Sequence, residues 1–409
     1  MQTLLSNMRY LCDESRMLTG ITAIYGTRDA SESLSYGRAQ EVQLQDGAWI
    51  PCLRAIDEKS IYDLASLTKL FTCVAALMLF EQGALDLDEC VGEIDPRFEN
   101  LKSVTVRDVL CYRACLQTDG RIDAADSREE GLRRLFSVKP APLPAVRIYS
   151  DINAMVIKYV IEARSGMAFY DALRHFILIP CGMTRTYAAV PESEKKHCLC
   201  YNYEHRIVRS TYTMRTDTPC GAVHDPKALL LSGGGADLCG HAGLFSAAED
   251  MIRFAQALLS GRLLSQKTLL SIGRNRTGQW NADGSYRQPM GLMCFTKHPY
   301  QRLSEVPAYT SANAFALSGF TGNHIVIDPV LGVFEVFLGN RCHNRISHIT
   351  PPEGTALSEY GLDERGAAQI RWTDGRVLPT SARYVYLKDE CLHEPIVRRM
   401  QALGWVNTL

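Results

Sequence analysis

Much is missing from this chain of 409 residues, and each absence excludes something. The opening "MQTLLSNMRYLCDESRM" has neither the basic start nor the apolar core of a secretory signal. No uncharged apolar run approaches the ~20 residues that a membrane span requires. Formal net charge is only −1, which removes any global electrostatic case for nucleic acid or an anionic membrane. The 14 cysteines include no CxxC pair and show no regular spacing, the pattern of buried thiols rather than of a disulfide scaffold. These absences together read as a cytoplasmic protein. There are no internal repeats and no low-complexity segments, and nothing in the sequence specifies an oligomeric state.

What is present is ordinary for a soluble enzyme, with 46% hydrophobic and 22% charged residues. The length suggests two domains, or one large domain carrying an insertion. "TGITAIYGT" (19–27) and "ESLSYGRAQEV" (32–42) have strand patterning with turn residues between them, an antiparallel start to a sheet. Residues 86–225 turn helical and loop-rich, with "NAMVIKYVIEARSG" closing on Gly166 and "YDALRHFILIPCGM" stopped by Pro180. "LSGGGADLCG" (231–240) reads as a glycine-rich hinge, and "SAAEDMIRFAQALLSG" as a helix capped by Ser246. "FALSGFTGNHIVIDPVLGVFEVFLGN" (315–340) reads as three consecutive strands. Strands, then helices, then strands predict an α/β (α+β) fold, an antiparallel sheet flanked by helices with a helical insertion. The divisions are 1–85 and 231–349 for the sheet domain, 86–230 for the helical domain, and 350–409 for a C-terminal extension. In that extension "QIRWTDGRVLPTSARYVYLKDE" alternates like an added hairpin, and "HEPIVRRMQALGW" like a final helix.

One stretch carries chemistry. "YDLASLTKLFTCVAALMLFEQG" (62–83) is a buried helix with a lysine one turn inside its start. A lysine there is costly unless its charge is used or paired. The i, i+3 spacing puts Ser66 and Lys69 on one face. At the helix N-terminus Ser66 has free backbone N–H groups beside it, which stabilise developing negative charge. A desolvated lysine can shed its proton near neutral pH and activate the hydroxyl. Against this stands a bland alternative, in which Ser66 caps the helix and Lys69 snorkels to water. A second SxxK match, Ser193 to Lys196 in "PESEKKH", is a solvated loop. Two further stretches favour chemistry. "RIYSDINAMVIKYVIE" presents Tyr149 just before a helix, and "FALSGFTG" puts Ser318 and Gly319 at a strand edge, where a glycine lets a ligand or another backbone approach.

Together these motifs resemble the serine β-lactamase and penicillin-binding protein superfamily, in its branch of class C β-lactamases, DD-peptidases and family VIII carboxylesterases. The resemblance covers roughly residues 18 to 342, and "IPCGMTRTY", "VHDPKA" and "GHAGLFSAAEDMIRFAQALLSG" share in it. It implies Ser66 as the acylated nucleophile, Lys69 as its base or proton shuttle, and Tyr149 as the second acid/base group. The backbone N–H groups of Ser66 and Phe320 are implied as the oxyanion hole, with Leu317, Ser318 and Gly319 as the third motif.

The chain also departs from that pattern. The second motif reads Tyr149-Ser150-Asp151, where β-lactamases have Tyr-x-Asn. Leu317 stands where β-lactamases have a carboxylate-binding lysine, which favours a small neutral ester or amide substrate; Arg341 and His343 are the nearby replacements. "CYRACLQTDGRID" replaces the usual His-Thr-Ser-Gly-Leu run. The alternatives are a penicillin-interacting peptidase or weak β-lactamase and, from another class, a non-catalytic sensor or scaffold.

No metal or cofactor is expected. "HCLC" (197–200) holds ligands too close together for one zinc site without other partners, and "SGGGADLCG" lacks the GK[ST] of a phosphate loop. His241 is expected to pack against its loop, His224 and Asp225 to stabilise another, and "EEGLRRLF" to be a solvated helix face.

Overall fold

A computed structural model describes residues 1–208, 211–233, 237–299, 305–350, 369–371 and 377–407. Its centre is a seven-stranded sheet ordered Phe295–Thr296, Phe315–Ser318, His324–Asp328, Val333–Asn340, Gly20–Thr27, Ser31–Gln45 and Ala48–Ala55. Every neighbouring pair is antiparallel. Gly20–Thr27 pairs with Val333–Asn340, Ile24 opposite Val336, so the first strand in sequence joins the last strand of the sheet. Among the described residues, none from 56 to 294 belongs to a strand of this sheet. The fold is the antiparallel sheet with flanking helices that the strand–helix–strand order predicts.

The strand Gly20–Thr27 shows why the sheet has covered faces. Its residues are buried almost throughout, yet alternate side chains go opposite ways. Ile24 joins the large core with Phe71 and Leu70, while Ile21, Ala23 and Tyr25 join a second core with Leu4, Met8, Ile396 and Met400. Terminal helices Gln2–Arg9 and Glu394–Ala402 therefore cover one face. The helices Ala248–Leu259 and Thr68–Glu81 cover the other, with Phe254 stacked on Phe71 at 4.1 Å between centroids.

Helix Thr68–Glu81 is buried nearly all round, which is why its apolar residues form no single stripe. It ends at Gln82, with Gly83 following at φ +71°, a conformation a side chain resists. Helix Asp151–Ser165 packs beside it, starts on a Ser150 cap and ends at Gly166 with φ +68°.

Three local expectations are corrected or fall outside the description. Ser246 does not cap its helix: Ala248–Leu259 begins without a side-chain cap, and the Ser246 hydroxyl bonds Thr186. The hairpin in the C-terminal extension is confined to Gln369–Arg371 and Val377–Pro379. Tyr384–Lys388 and the turns after it are helical, because Tyr384, Lys388, Cys391 and Leu392 are buried at i, i+4, i+7 and i+8. Residues 234–236 of the glycine-rich hinge and 372–376 of the hairpin lie outside the described residues.

Candidate active site

The turn before Ser66 is strained and tightly held. Ala65 has φ +46°, a left-handed conformation that a residue with a Cβ adopts only when its surroundings impose it. Asp63 imposes it. One carboxylate oxygen accepts the Ala65 N–H at 2.8 Å, and the other accepts the His224 N–H at 2.7 Å. The Asp63 carbonyl accepts from Asn323 Nδ2 at 2.7 Å and Thr321 Oγ1 at 3.0 Å. Asp63 is fully buried, and burial pushes its carboxyl up while the two N–H bonds pull it down. Gly319 completes the contact: a Cβ there would lie 2.9 Å from the Leu64 carbonyl oxygen, so only glycine lets the strand edge reach the turn.

Asp63→Asn tests the clamp. The amide keeps the shape but turns an NH₂ toward one of the two backbone donors. The expected cost is about 1–3 kcal/mol, read from the midpoint of a urea unfolding curve. An unchanged midpoint would refute the role given to Asp63.

Ser66, Lys69, Tyr149 and Asp151 come together around one point. Ser66 lies in the short 3₁₀ turn Ala65–Leu67 leading into the helix, and makes no capping bond. Lys69 is fully buried and does not snorkel. Its Nζ donates to Ser66 Oγ at 2.9 Å, to Asp151 Oδ1 at 2.8 Å and to the His241 carbonyl at 3.3 Å. The Tyr149 hydroxyl meets both Lys69 and Ser66, and Lys69 Nζ lies 4.8 Å from the Tyr149 ring centre. The Tyr149 ring is stacked between Phe295 at 5.4 Å and Tyr112 at 5.9 Å, and its backbone N–H is held by Gln288. Tyr112, of the "CYRACL" stretch, has φ +56°.

The charge state of this group corrects the sequence reading. Burial lowers Lys69, but the Asp151 carboxylate and Tyr149 together outweigh it, so Lys69 is raised and rests as an ammonium. Burial opposes ionisation of Asp151, yet Lys69, His241 and Lys227 hold its carboxyl well below the usual range. Burial is also the largest influence on Tyr149 and leaves it a neutral phenol. A second row lies behind. Lys227 Nζ reaches the other oxygen of Asp151 at 2.9 Å and Asp225 at 3.8 Å, and His241 Nε2 bonds Asp225 at 2.9 Å. His241 is thus buried against its loop, as expected, but its carbonyl touches Lys69. Asp225 and Lys227 connect to the site rather than only stabilising a loop.

The third motif runs along the opposite wall. Leu317 is buried in the large core, paired across the sheet with Ile325. Ser318 turns the other way, bonding Glu305 and His324 Nδ1. Lys388, at the end of helix Tyr384–Lys388, reaches Ser318 Oγ at 3.1 Å and Glu305 at 3.0 Å. Its charge is therefore balanced by Glu305. Phe320 is 38% exposed. Arg341 lines the cleft, but His343 does not. His343 is buried, its Nδ1 against the Asn202 carbonyl and its Nε2 against the Glu41 N–H, and burial pushes it down to about 4. The walls enclose a cleft of about 820 Å³ that Ser66, Tyr149, Asp151, Ser318 and Phe320 all line.

Asp63, Lys227, Lys388 and Glu305 were not singled out by sequence. "VHDPKA" contained Lys227, and the i, i+4, i+7 burial of Tyr384, Lys388 and Cys391 was a helical signal hidden by alternation. The remaining candidates are structural. Ser193 and Lys196 lie in the short helix Glu192–His197, which has no buried residue. Glu130 pairs with Arg133 and Arg134 on the face of Arg128–Phe136, whose Leu135 is buried. Among the described residues two groups have metal-ligand types close together, Glu204–His224–Cys342 and Asp151–Asp225–His241. The carboxylates Glu204 and Asp151 already bond arginine or lysine. Cys198 and Cys200 of "HCLC" belong to neither group.

Comparison with known proteins gives a consistent result. A protein named "Putative D-alanyl-D-alanine carboxypeptidase" from Salmonella enteritidis PT4 is 26% identical over 331 residues, covering 71% of this chain and 71% of that protein. The same name and identity recur in Salmonella typhi. A class C β-lactamase structure superposes with a TM-score of 0.60 at 17% identity, over 85% of this chain and 92% of that one. EstCE1, a hydrolase with promiscuous acyltransferase activity, gives 0.61 at 16% identity, over 83% and 93%. The family model called Beta-lactamase matches residues 40–351, most of the chain, and the chain belongs to that family.

Proposed function

We propose that this chain is a serine hydrolase that forms an acyl-enzyme at Ser66, acting as an esterase on a small ester or amide with a neutral acyl group. The observation that carries this is the 2.9 Å contact of a fully buried Lys69 with a solvent-accessible Ser66. A buried lysine carries a desolvation cost even when paired with Asp151, and a scaffold has no use for one aimed at an accessible hydroxyl. Support for a neutral acyl group comes from Leu317, which lies in the core, and from Lys388, whose charge is matched by Glu305.

Because Lys69 rests as an ammonium and Tyr149 as a phenol, acylation requires one proton to leave that pair. As Ser66 Oγ bonds the carbonyl carbon, its own proton passes to the pair. Negative charge develops on the carbonyl oxygen, which faces the Ser66 and Phe320 N–H groups in the assigned oxyanion hole. As the tetrahedral species collapses, Tyr149 returns the proton to the leaving oxygen or nitrogen. Deacylation repeats the cycle with water as nucleophile.

This assigns Asp151 a measurable effect. Its carboxylate favours the charged lysine, so it lowers the reactive fraction at any given pH. The rate should rise towards alkaline pH in the wild type. Asp151→Asn removes the anion, lowers the pKa of the pair and moves the rising limb of kcat/KM to lower pH, by about one unit or more. A limb that stays or moves upward would remove Lys69 from the proton path.

The names of the curated relatives favour a second reading, a D-alanyl peptidase. Turnover separates the two. The esterase reading expects Ser66-dependent hydrolysis of p-nitrophenyl butyrate and little reaction with benzylpenicillin. A stable penicillin adduct would place the chain with the penicillin-binding group. Among the described residues no helix is long and apolar enough to cross a membrane.

A further inference from the structure

A cluster of thiols lies outside the cleft and takes no part in the acyl chemistry. Cys198 and Cys200 follow the short helix Glu192–His197, and Cys220 lies in the loop before helix Pro226–Ser232. Arg54, on the sheet's last strand Ala48–Ala55, joins them. Its Nη1 donates to the Lys196 carbonyl at 3.1 Å. Its Nη2 donates to the Cys198 carbonyl and, at 3.7 Å, to Cys220 Sγ. These bonds go to backbone oxygen and to sulfur, and to no carboxylate. Of the other charged groups nearby, Glu194 faces Cys198 but is paired with Arg185. Lys195 packs over Gly221 but is paired with Glu192. A guanidinium charge held beside a sulfur favours its thiolate.

The two thiols that meet are unlike in access and in support. Cys200 is buried and fixed on both sides. Its N–H donates to the Ala39 carbonyl at 2.9 Å, and its carbonyl accepts from Asn340 Nδ2 at 2.7 Å. Cys220 is half-buried, in a turn closed by the Ala222 N–H on the Pro219 carbonyl at 2.9 Å, with Gly221 at φ +82°. The Cys200 thiol donates to the Cys220 sulfur. Burial pushes Cys12, Cys73, Cys198, Cys239 and Cys294 up. Cys220 goes the other way. The bond from Cys200 and the Arg54 charge outweigh burial and bring it down to about 7. About half of it is then thiolate at neutral pH. Cys200 is raised, first by that same bond, and keeps its proton.

An accessible thiolate beside a second, protonated thiol is the arrangement that hydroperoxides oxidise. We propose that Cys220 is a peroxide-reactive thiol and that Cys200 resolves it as a disulfide. The Cys220 thiolate attacks one peroxide oxygen. An S–O bond forms, the O–O bond breaks, and the leaving hydroxide takes up a proton as water. Cys200 sulfur then attacks the Cys220 sulfenic acid. The S–S bond forms, the S–O bond breaks, and the hydroxyl leaves as a second water with the Cys200 proton. Two thiols supply the two electrons that reduce one hydrogen peroxide.

Alkylation and mass spectrometry test this on the intact enzyme. Limiting iodoacetamide at neutral pH is expected to label Cys220 before the other half-buried thiols, Cys52, Cys90 and Cys115. The pH midpoint of that labelling should lie near 7. Arg54→Gln should raise the midpoint by about one unit, and Arg54→Lys, which keeps the charge, should restore part of the shift. Thermal melts confirm that both variants are folded. Hydrogen peroxide should make the wild type lighter by two hydrogens, with Cys200 linked to Cys220 and the change reversed by dithiothreitol. Cys200→Ser should stop at a sulfenic acid that dimedone captures on Cys220, while Cys198→Ser should link as the wild type does. Labelling of Cys220 no faster than of the other three, or a midpoint unmoved by Arg54→Gln, would overturn the reactive thiol. No peroxide-dependent link, or a link from Cys220 to Cys198, would overturn the pair.

Discussion

Lys69→Met is expected to lower kcat/KM for p-nitrophenyl butyrate by on the order of 10⁴-fold, the upper range for loss of a positioned acid/base group. Methionine fills the same buried volume without charge. Removing one partner of a buried pair usually costs several kcal/mol, because the other charge is stranded. Here Asp151 keeps Lys227 at 2.9 Å, and its side chain is 24% exposed, so it is not stranded. The lysine itself bears a burial cost that methionine does not. The denaturation midpoint should therefore stay level or rise while the reaction is lost. That combination identifies a residue kept for chemistry at the expense of stability. Activity within tenfold of wild type would contradict it, whatever the stability.

Tyr149→Phe should cost about 10²–10⁴-fold in the same parameter. Phenylalanine preserves the stack between Phe295 and Tyr112, so only the hydroxyl that meets Ser66 and Lys69 is removed. The size of the loss should depend on the leaving group. p-Nitrophenolate leaves with little help from a proton, whereas an alkoxide needs one. The defect is expected to be larger for ethyl butyrate than for p-nitrophenyl butyrate. Equal losses would assign Tyr149 to activation of Ser66 alone, and no loss with either ester would remove it from the mechanism.

How much of this was legible in sequence depends on the range of the interaction. The Ser66–Lys69 relation is a helix spacing and could be read directly. So could Gly166, which ends its helix by adopting positive φ, and the strands within 315–340, whose turns are marked by glycine and proline. The charge of Lys69 could not be read, because it is set by Asp151, 82 positions away. Desolvation alone predicted a neutral amine, and the carboxylate that reverses this is apparent only once helices Thr68–Glu81 and Asp151–Ser165 lie side by side. Asp63 looked like an ordinary polar residue before a helix; its role depends on backbone donors at 65 and 224. The C-terminal extension was misread locally for a related reason. Residues 384–390 alternate well enough to suggest a strand, but burial against the sheet selects the helical spacing and carries Lys388 to Ser318.

The central claim is a covalent bond between substrate and Ser66, and intact-mass spectrometry after brief incubation with p-nitrophenyl butyrate tests it most directly. The predicted result is a single butyryl group on the wild-type chain, mapping to the peptide that contains Ser66, and none on Ser66→Ala. If deacylation is too fast for the adduct to accumulate, p-nitrophenol release by the wild type and none by Ser66→Ala carries the same information. An adduct or turnover that survives in Ser66→Ala, or no reaction by either protein, would contradict the account.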